Sequence, residues 1–325
     1  MNEALAPDVS VLVVSYNHVE WLRRCLQAVP HACAPRTFEI LVVDNASRDG
    51  SREWLAAQPG LGRFLNQENA GFTRAMNQAL GAARGRFVLW LNSDCEAGAG
   101  SIAGGIDYLT QHPEVWIVGG ALVDDHGKRQ PSALAFPGVV AVLTHCLGLK
   151  RWLRWKWLRG LAGAGARLTG SRYAASYLEH GAASESPRET DWVTGAFLLA
   201  RREAVERVGG LDERFWMYSE DTDWCRRVKL AGGRVVFLPS MRAVHAVGAS
   251  AGTSDVARCH YYRSMWLYHA KHDPQASLAH AILTLYFRMR ALGPDPDLWR
   301  RLARWAGGRG PEPCAVPAPE RNMAP

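Results

Sequence analysis

Two short groups of acidic residues stand where apolar runs end, and both could do chemistry. Asp94 and Glu96 follow the run 86–91 (RFVLWL) and are separated by one residue. A loop of that kind can direct both carboxylates to one point, and Mg²⁺ and Mn²⁺ prefer oxygen ligands of this type. The residues alone leave two interpretations open, a metal site and a solvated acidic turn.

The second group places three acids within residues 220–223 (EDTD), soon after the aromatic run 215–218 (FWMY). Capping of a helix explains one of these acids, because carboxylates stabilise the free amides and the positive end of a helix. Capping does not explain the aromatic side chains, which are costly on a bare surface. An acid beside aromatic residues in a cleft suits a general base with a shifted pKa. Both interpretations stay open at this point.

A histidine and a glycine turn are weaker candidates. His245 follows a strand-like run at 234–238, and a lone histidine is more often structural than a ligand. Residues 69–72 (NAGF) either open a helix whose amides face a phosphate or contain a glycine that only permits a turn. No GxGxxG follows the first apolar run and no GxxxxGK(S/T) occurs. These absences argue against a Rossmann dehydrogenase and a P-loop nucleotidase.

The first half of the chain alternates short β-branched runs with segments of helical spacing. The predicted strands are 9–14, 40–43 and 86–91, and the predicted helices are 20–29, 52–57 and 72–83. Repeated strand–helix–strand units favour an α/β fold with a mainly parallel sheet flanked by helices, and ligands bind beyond the carboxyl ends of such strands. Asp44 and Asp94 stand at two of these ends.

The rest of the chain divides less regularly. Residues 124–191 are rich in Gly, Ala and Ser and are expected to form a variable region, which contains the basic and aromatic run 150–159 (KRWLRWKWLR). We expect one domain over 8–250 and a helical C-terminal segment over 251–307. The Pro- and Gly-rich composition of 308–325 predicts a disordered tail.

The 325 residues are 48% hydrophobic and carry a formal net charge of +7, which favours anionic partners without selecting one. Seven cysteines occur without a CxxC pair, so we expect a reducing compartment and neither a disulfide framework nor a zinc site. The N-terminus lacks an export pattern, and the longest apolar stretch, about 133–149, is interrupted. We therefore expect a cytoplasmic protein, soluble or peripheral on the inner face of the membrane.

The order of these segments resembles glycosyltransferase family 2, and within it the bacterial rhamnosyltransferase-like branch. The matching segments begin at Val9 (VSVLVVSYNHVEWLRRCL), Glu39 (EILVVDNASRDGS), Asn69 (NAGFTRAMNQAL), Gly85 (GRFVLWLNSD), Val193 (VTGAFLLARREAVERVGGLDERFWMYSEDTDWCRRVKLAGGRVVFLP) and His245 (HAVGAS). The resemblance implies a GT-A fold of Rossmann-like type, a nucleotide-sugar donor, a divalent cation (Mg²⁺ or Mn²⁺) and inverting transfer.

The resemblance also implies roles on the donor side. Tyr16 would pack against the nucleobase, and Asp44 would accept a hydrogen bond from the imide N–H of uracil or thymine. The motif that lines the nucleotide-sugar pocket corresponds to Asn69, Gly71 and Asn77, with Arg74 reaching for the diphosphate.

For the reacting groups, Asp94 matches the metal-binding acid of the family's DxD motif. Glu96 takes the place of the second acid, so that the sequence reads Asp–Cys–Glu, and His245 lies where related enzymes supply a third ligand. Glu220 and Asp221 match the family's Glu–Asp pair, in which the second acid is the catalytic base. Asp223 would cap or orient the following helix.

The implied donor is dTDP-rhamnose or a UDP-sugar, and the implied acceptor is a cell-surface glycan or a polyprenyl-linked saccharide. The run 150–159 favours peripheral membrane contact as much as a solvated helix, and no nucleic-acid-binding module surrounds it. Two alternatives remain: a sugar-1-phosphate nucleotidyltransferase, and a non-catalytic carbohydrate- or lipid-surface-binding protein on the same fold.

Overall fold

The computed structural model describes residues 6–148, 186–246, 254–293 and 296–314. The strands in these ranges are β1 Val9–Ser15, β2 Phe38–Asp44, β3 Gly62–Leu65, β4 Phe87–Asn92, β5 Cys95–Ala97, β6 Val115–Val123, β7 Arg129–Gln130, β8 Ala133–Leu134, β9 Arg188–Glu189, β10 Trp192–Val193, β11 Phe197–Arg201 and β12 Arg234–His245. The helices are α1 Val19–Cys33, α2 Ser51–Ala56, α3 Phe72–Ala82, α4 Ser101–Gln111, α5 Val139–Cys146, α6 Arg202–Val208, α7 Glu220–Leu230, α8 Asp255–His272, α9 Ala276–Arg290 and α10 Pro296–Ala306.

A mixed sheet dominates these residues, in the order β3-β2-β1-β4-β11-β6-β12-β5, with β7 paired to β6 and β9 to β12. Strands β3, β2, β1 and β4 run parallel, whereas β11 is antiparallel to both of its neighbours. The register aligns Ser15 with Asp44, and Val14 with Asn92, so these carboxyl ends share one edge. The predicted mainly parallel α/β fold flanked by helices is confirmed.

Each face of the sheet buries its own apolar cluster, because successive side chains of a strand point to opposite faces. Val11 and Val13 of β1 pack with α1, α2 and α4, and Leu12 packs on the other side with α3 and α7. On that second face the rings of Trp90 and Trp224 lie 4.6 Å apart. This ring contact packs α7 directly against β4.

The C-terminal helices α8, α9 and α10 enclose a third cluster together with α5. A disulfide joins Cys259 of α8 to Cys314, and Glu312 pairs with Arg263. This bonded pair runs against the expectation of no disulfide framework. The disordered tail over 308–325 stays a prediction. Helix packing brings together two cysteines that are 55 residues apart in the chain, and spacing alone does not reveal such a pair.

Among the described residues no helix combines the length and apolar character that a bilayer-crossing segment needs. The run 150–159 and most of the expected variable region 124–191 lie outside the described residues. The division of the chain into domains stays a prediction.

Candidate active site

A cavity of about 860 Å³ opens at the carboxyl ends of β1 and β4. The start of α7, the end of β12 and the helices α5 and α8 complete its walls. Six of the predicted site residues line it: Tyr16, Asn69, Asp94, Glu220, Asp221 and His245. The fold thus brings the two acidic groups and the histidine to one volume, although they lie far apart in sequence.

Asp44 closes β2 and is fully buried. Its Oδ2 accepts a hydrogen bond from the Ser47 backbone N–H at 3.1 Å and lies 3.5 Å from the Arg52 guanidinium. Its Oδ1 has no hydrogen-bond partner among the described residues. A buried oxygen without a partner is costly, and an N–H donor of a bound ligand would satisfy it.

The turn before α3 is held by an asparagine pair. Asn69 Oδ1 accepts from Asn45 Nδ2 at 2.8 Å and from the Gly71 N–H at 3.0 Å. Gly71 has φ +87°, and a Cβ at this position would come within 2.6 Å of the Trp216 ring. Only glycine combines that backbone conformation with so close an approach. The turn therefore fixes both Asn69 and Trp216 on the cavity wall.

Two α3 residues that were predicted to contact the nucleotide-sugar donor, Arg74 and Asn77, lie away from the cavity. Asn77 bridges the Leu211 backbone, donating to its carbonyl at 2.9 Å and accepting from its N–H at 2.8 Å. Arg74 is exposed and lies 3.6 Å from Glu213. Positions three apart share a helix face, and this face meets the loop before α7. Neither residue lines the cavity, and their contact with a donor sugar stays a prediction.

The candidate metal group is formed where β5 pairs with β12. His245 stands opposite Cys95 in that ladder, and its Nε2 lies 3.4 Å from Asp94 Oδ1. One ligand atom each from Asp94, Cys95 and His245 can lie within 4.8 Å of one another. Burial, followed by the nearby Asp94 charge, raises the pKa of the Cys95 thiol well above its usual range. Asp94 and His245 are therefore the stronger ligands of the three.

Glu96 does not join this group. Its carboxylate pairs with the Arg24 guanidinium at 2.6 Å. Adjacent positions of a strand face opposite sides, so Glu96 diverges from Cys95 and His245. The pairing with Arg24 argues against Glu96 as a ligand.

The Asp94–His245 pair fits a hard divalent cation in chemistry and spacing. It offers one carboxylate oxygen and one imidazole nitrogen, both of which Mn²⁺ accepts. The 3.4 Å separation of the two ligand atoms is short enough for one ion to bind both.

The carboxylate of Asp221 is held by three donors. Its Oδ2 accepts from the Gly195 N–H at 2.9 Å, and its Oδ1 accepts from the N–H and the hydroxyl of Thr222 at 2.7 and 3.2 Å. A carboxylate has about four acceptor sites. The remaining site belongs to Oδ2, and Asp221 lines the cavity, so a hydroxyl group there could deliver a proton to it.

Glu220 is buried and Asp221 is half-buried, and the charges of these adjacent acids compete. Burial raises the pKa of both, and the Asp221 charge raises that of Glu220 further. Hydrogen bonds from Gly195 and Thr222 partly lower the pKa of Asp221, whereas Glu220 Oε2 has no partner among the described residues. Hydrogen bonds favour the charged form of the group that accepts them. The negative charge is therefore more favourable on Asp221 than on Glu220.

The backbone before α7 is strained. Tyr218 and Ser219 have φ of +72° and +64°, a conformation that costs side-chain-bearing residues free energy and persists at functional sites. The helix begins directly afterwards at Glu220, so the strained pair turns the acids of its first turn toward the cavity.

Asp223 was expected to cap or orient α7, and its contacts are of the orienting kind. It is fully buried and contacts Arg227 at 2.9 Å, and both Lys271 and His272 at 2.6 Å. Burial raises the pKa of Asp223, but these hydrogen bonds outweigh it and hold that pKa below its usual value. The residue ties α7 to the end of α8.

The family follows from comparison with known proteins. Residues 10–175, half of the chain, match the model of glycosyl transferase family 2. The chain belongs to glycosyltransferase family 2. The resemblance noted in the sequence is thereby confirmed, and the family decides against the nucleotidyltransferase and the non-catalytic alternatives.

Relatives of this glycosyltransferase include a Mycobacterium tuberculosis protein named N-acetylglucosaminyl-diphospho-decaprenol L-rhamnosyltransferase. It is 29% identical over 254 residues, which cover 74% of this chain and 77% of the relative.

Solved structures share the GT-A fold at low sequence identity. The mannosyltransferase PcManGT from Pyrobaculum calidifontis, in complex with GDP-Man and Mn²⁺, is 19% identical with a TM-score of 0.52, covering 94% of this chain and 81% of that one. The TarS 1–349 structure from S. aureus in complex with UDP-GlcNAc is 15% identical with a TM-score of 0.54, covering 92% and 79%.

Several residues of the glycosyltransferase site carry no signal in the sequence. Gly195 contacts Asp221 only through its backbone N–H, and Gln130 reaches His245 from a two-residue strand. Asn45 follows the predicted strand end at Asp44 and could have been found by extending that argument one residue. The others depend on contacts between distant segments.

Proposed function

We propose that this glycosyltransferase moves a sugar from a nucleoside-diphosphate donor to an acceptor hydroxyl with inversion at the anomeric carbon. The observation that carries the proposal is the shared cavity, since Asp221 and the Asp94–His245 pair line the same volume of about 860 Å³. A base and a cation site on one cavity are the groups that a single displacement by a hydroxyl needs.

In the proposed step the acceptor oxygen bonds to the anomeric carbon while the bond from that carbon to the diphosphate oxygen breaks. The hydroxyl proton goes to Oδ2 of Asp221, and the electron pair of the broken bond stays on the departing diphosphate. Attack and departure take place on opposite faces of the sugar, so the anomeric configuration inverts. No covalent enzyme intermediate is needed.

Asp94 and His245 would hold the cation, Mg²⁺ or Mn²⁺, which supplies positive charge against the diphosphate as it departs. Asp94 lies in the turn before β5 and His245 ends β12, which pairs with β5, so the site is kept in place before the donor arrives. Preorganised charge of this kind costs little reorganisation during the reaction. Cys95 lies beside the pair as a neutral thiol.

For the donor, the proposal is a thymidine or uridine diphosphate sugar, with rhamnose favoured. The unpartnered Oδ1 of Asp44 supports an imide-bearing base, and exposed Tyr16 supplies an aromatic face for it. Rhamnose is supported by the printed name of the mycobacterial relative. Asp44 does not separate thymine from uracil, because both bases carry the same imide N–H.

For the acceptor, we propose a hydroxyl of a polyprenyl-linked saccharide or growing cell-surface glycan. The mycobacterial relative is named for a decaprenol-linked substrate. The cavity wall from α5 and α8 includes the apolar side chains of Val142, Val256 and Met265, beside aromatic and histidine side chains. Such a wall would tolerate the lipid-proximal part of an acceptor better than a charged one would.

A lipid-linked acceptor places the enzyme at a membrane surface, on the cytoplasmic side in this proposal. Helix α9 contains no acidic residue, and its large exposed apolar residues share one face: Leu278, Leu285 and Met289. Apolar side chains beside arginines suit an anionic lipid surface. Leu285→Asp should weaken flotation with anionic vesicles, whereas Leu230→Asp on α7, where the leucine is 77% exposed, should not. Equal flotation of both variants would remove α9 from this role.

The function is tested by calorimetry and thermal shift with dTDP, UDP, GDP and ADP, each with and without Mn²⁺. We expect stabilisation by dTDP or UDP that requires Mn²⁺ and is lost in Asp94→Ala. Transfer is then measured as release of nucleoside diphosphate from dTDP-rhamnose with a polyprenyl-diphosphate-linked N-acetylglucosamine. Binding of GDP or ADP alone would contradict the proposed donor class.

A further inference from the structure

Gln130 contacts His245 at two points. Its Nε2 donates to the His245 backbone carbonyl at 2.7 Å, and its Oε1 lies 2.8 Å from the ring Nδ1. Gln130 belongs to β7, which pairs with β6. In the sheet β12, which ends at His245, lies between β6 and β5. One amide thus fixes both the main chain and the ring of this histidine.

The polarity of the two contacts is determined by chemistry. A backbone carbonyl only accepts hydrogen bonds, so the amide nitrogen of Gln130 must face it. The amide oxygen then faces Nδ1 and can only accept, so Nδ1 must carry a hydrogen. A histidine that binds a cation is neutral and carries a single N–H. With that hydrogen on Nδ1, Nε2 of His245 is the atom that offers a lone pair to a cation.

Nε2 is the ring nitrogen that faces the candidate metal group, because it lies 3.4 Å from Asp94 Oδ1. A cation between this nitrogen and the carboxylate oxygen would attract both. We propose that Gln130 is a positioning residue that holds His245 as a neutral Nε2 ligand for the divalent cation. The inference rests on the proposed cation site and adds a determinant of its affinity.

The two hydrogen bonds can be separated by substitution. Gln130→Met keeps the length of the side chain and loses both contacts. Gln130→Glu keeps an acceptor for Nδ1–H and loses the donor to the carbonyl. The neighbouring Arg129 is exposed in the same short strand, so Arg129→Met is a matched control.

The experiment measures Mn²⁺ affinity by isothermal calorimetry on the full chain, alone and with dTDP. We expect Gln130→Met to weaken Mn²⁺ binding about 10- to 100-fold, as loss of a partner that orients a metal-bound histidine does elsewhere. Gln130→Glu should recover most of the affinity, and Arg129→Met should match the unaltered chain. Thermal stability of each variant is recorded beside its affinity.

A second measurement reads the tautomer directly. Long-range ¹H–¹⁵N spectra of the metal-free chain should show His245 with hydrogen on Nδ1, and Gln130→Met should lose this preference. If Gln130→Met does not fold, the spectrum of the unaltered chain and the affinity of Gln130→Glu decide. Unchanged Mn²⁺ affinity in a folded Gln130→Met variant overturns the inference alone. Absence of Mn²⁺ binding by the unaltered chain overturns the proposed cation site and this inference with it.

Discussion

Replacing Asp221 by asparagine isolates the proposed base from the rest of the site. The asparagine oxygen should turn to Thr222, where two donors converge, and the amide nitrogen then faces the Gly195 N–H. The acceptor site left free on Oδ2 of the aspartate becomes a donor. The variant can therefore neither take the proton of the acceptor hydroxyl nor satisfy Gly195.

Both effects can be given a size. Loss of a positioned general base lowers turnover by about 10²- to 10⁴-fold, or about 3 to 5 kcal/mol of activation free energy. The unsatisfied Gly195 N–H costs about 1 to 3 kcal/mol of folding free energy. Removal of a buried charge whose pKa is raised offsets part of that cost. We expect an inactive protein of nearly normal stability.

The assay measures diphosphate release for transfer and calorimetry for donor binding, with Asp223→Asn as the control. Asp223 lies two residues further along α7, within ion pairs to Arg227, Lys271 and His272. Breaking a buried pair costs about 3 kcal/mol or more, so this variant should lose stability and keep its turnover within a few-fold. The two aspartates should thus show opposite phenotypes.

One result would refute the base assignment. If Asp221→Asn binds the donor normally and still turns over within about tenfold of the unaltered enzyme, the proton goes elsewhere, because a positioned base contributes more than that. Loss of donor binding in the same variant would instead assign Asp221 to the donor pocket.

Three further outcomes are expected. Because burial raises the pKa of Asp221 above the ordinary 3.8, kcat/KM should fall with decreasing pH through an apparent pKa above that value, a limb absent from Asp221→Asn. Asp44→Asn should keep its contact with the Ser47 N–H and present an amide N–H to the nucleobase. We expect this change to weaken dTDP and UDP binding about 10- to 100-fold and to favour CDP, because N3 of cytosine accepts a hydrogen bond. Calorimetry with the three nucleotides checks it. Asn77→Ala should lose two hydrogen bonds to Leu211 and about 1 to 3 kcal/mol of stability with an unchanged donor KM, whereas a raised KM at full stability would restore its donor role.

Local patterns in the sequence were enough to place Asp44 and Asp94 at the edge of the sheet where the parallel strands end. The apolar runs that end at Asp44 and before Asp94 predict buried parallel strands, and parallel strands bring their carboxyl ends together. The acidic group containing Asp221 could be identified from its aromatic neighbours, but not its position over the same cavity. That position depends on α7, which packs against β4 through the rings of Trp224 and Trp90.

Side-chain direction could not be predicted so well. Glu96 follows the metal-site acid in sequence but pairs with Arg24, and Asn77 lies in a matching motif but binds the loop before α7. In both cases the spacing along the chain was right and a partner from another segment determined the orientation. The disulfide between Cys259 and Cys314 likewise joins two segments that are far apart in the chain.

The sequence by itself determined the order of strands and helices, the family, and the residue types that meet at the cavity, because these depend on hydrophobic periodicity and on short motifs. Only the tertiary structure decided which atoms face one another: Oδ2 of Asp221 and the Gly195 N–H, Nε2 of His245 and Asp94, and the amide of Gln130 and the His245 ring. Hydrogen bonds depend on distances and angles of a few tenths of an ångström. Such geometry arises only when segments far apart in the chain have packed.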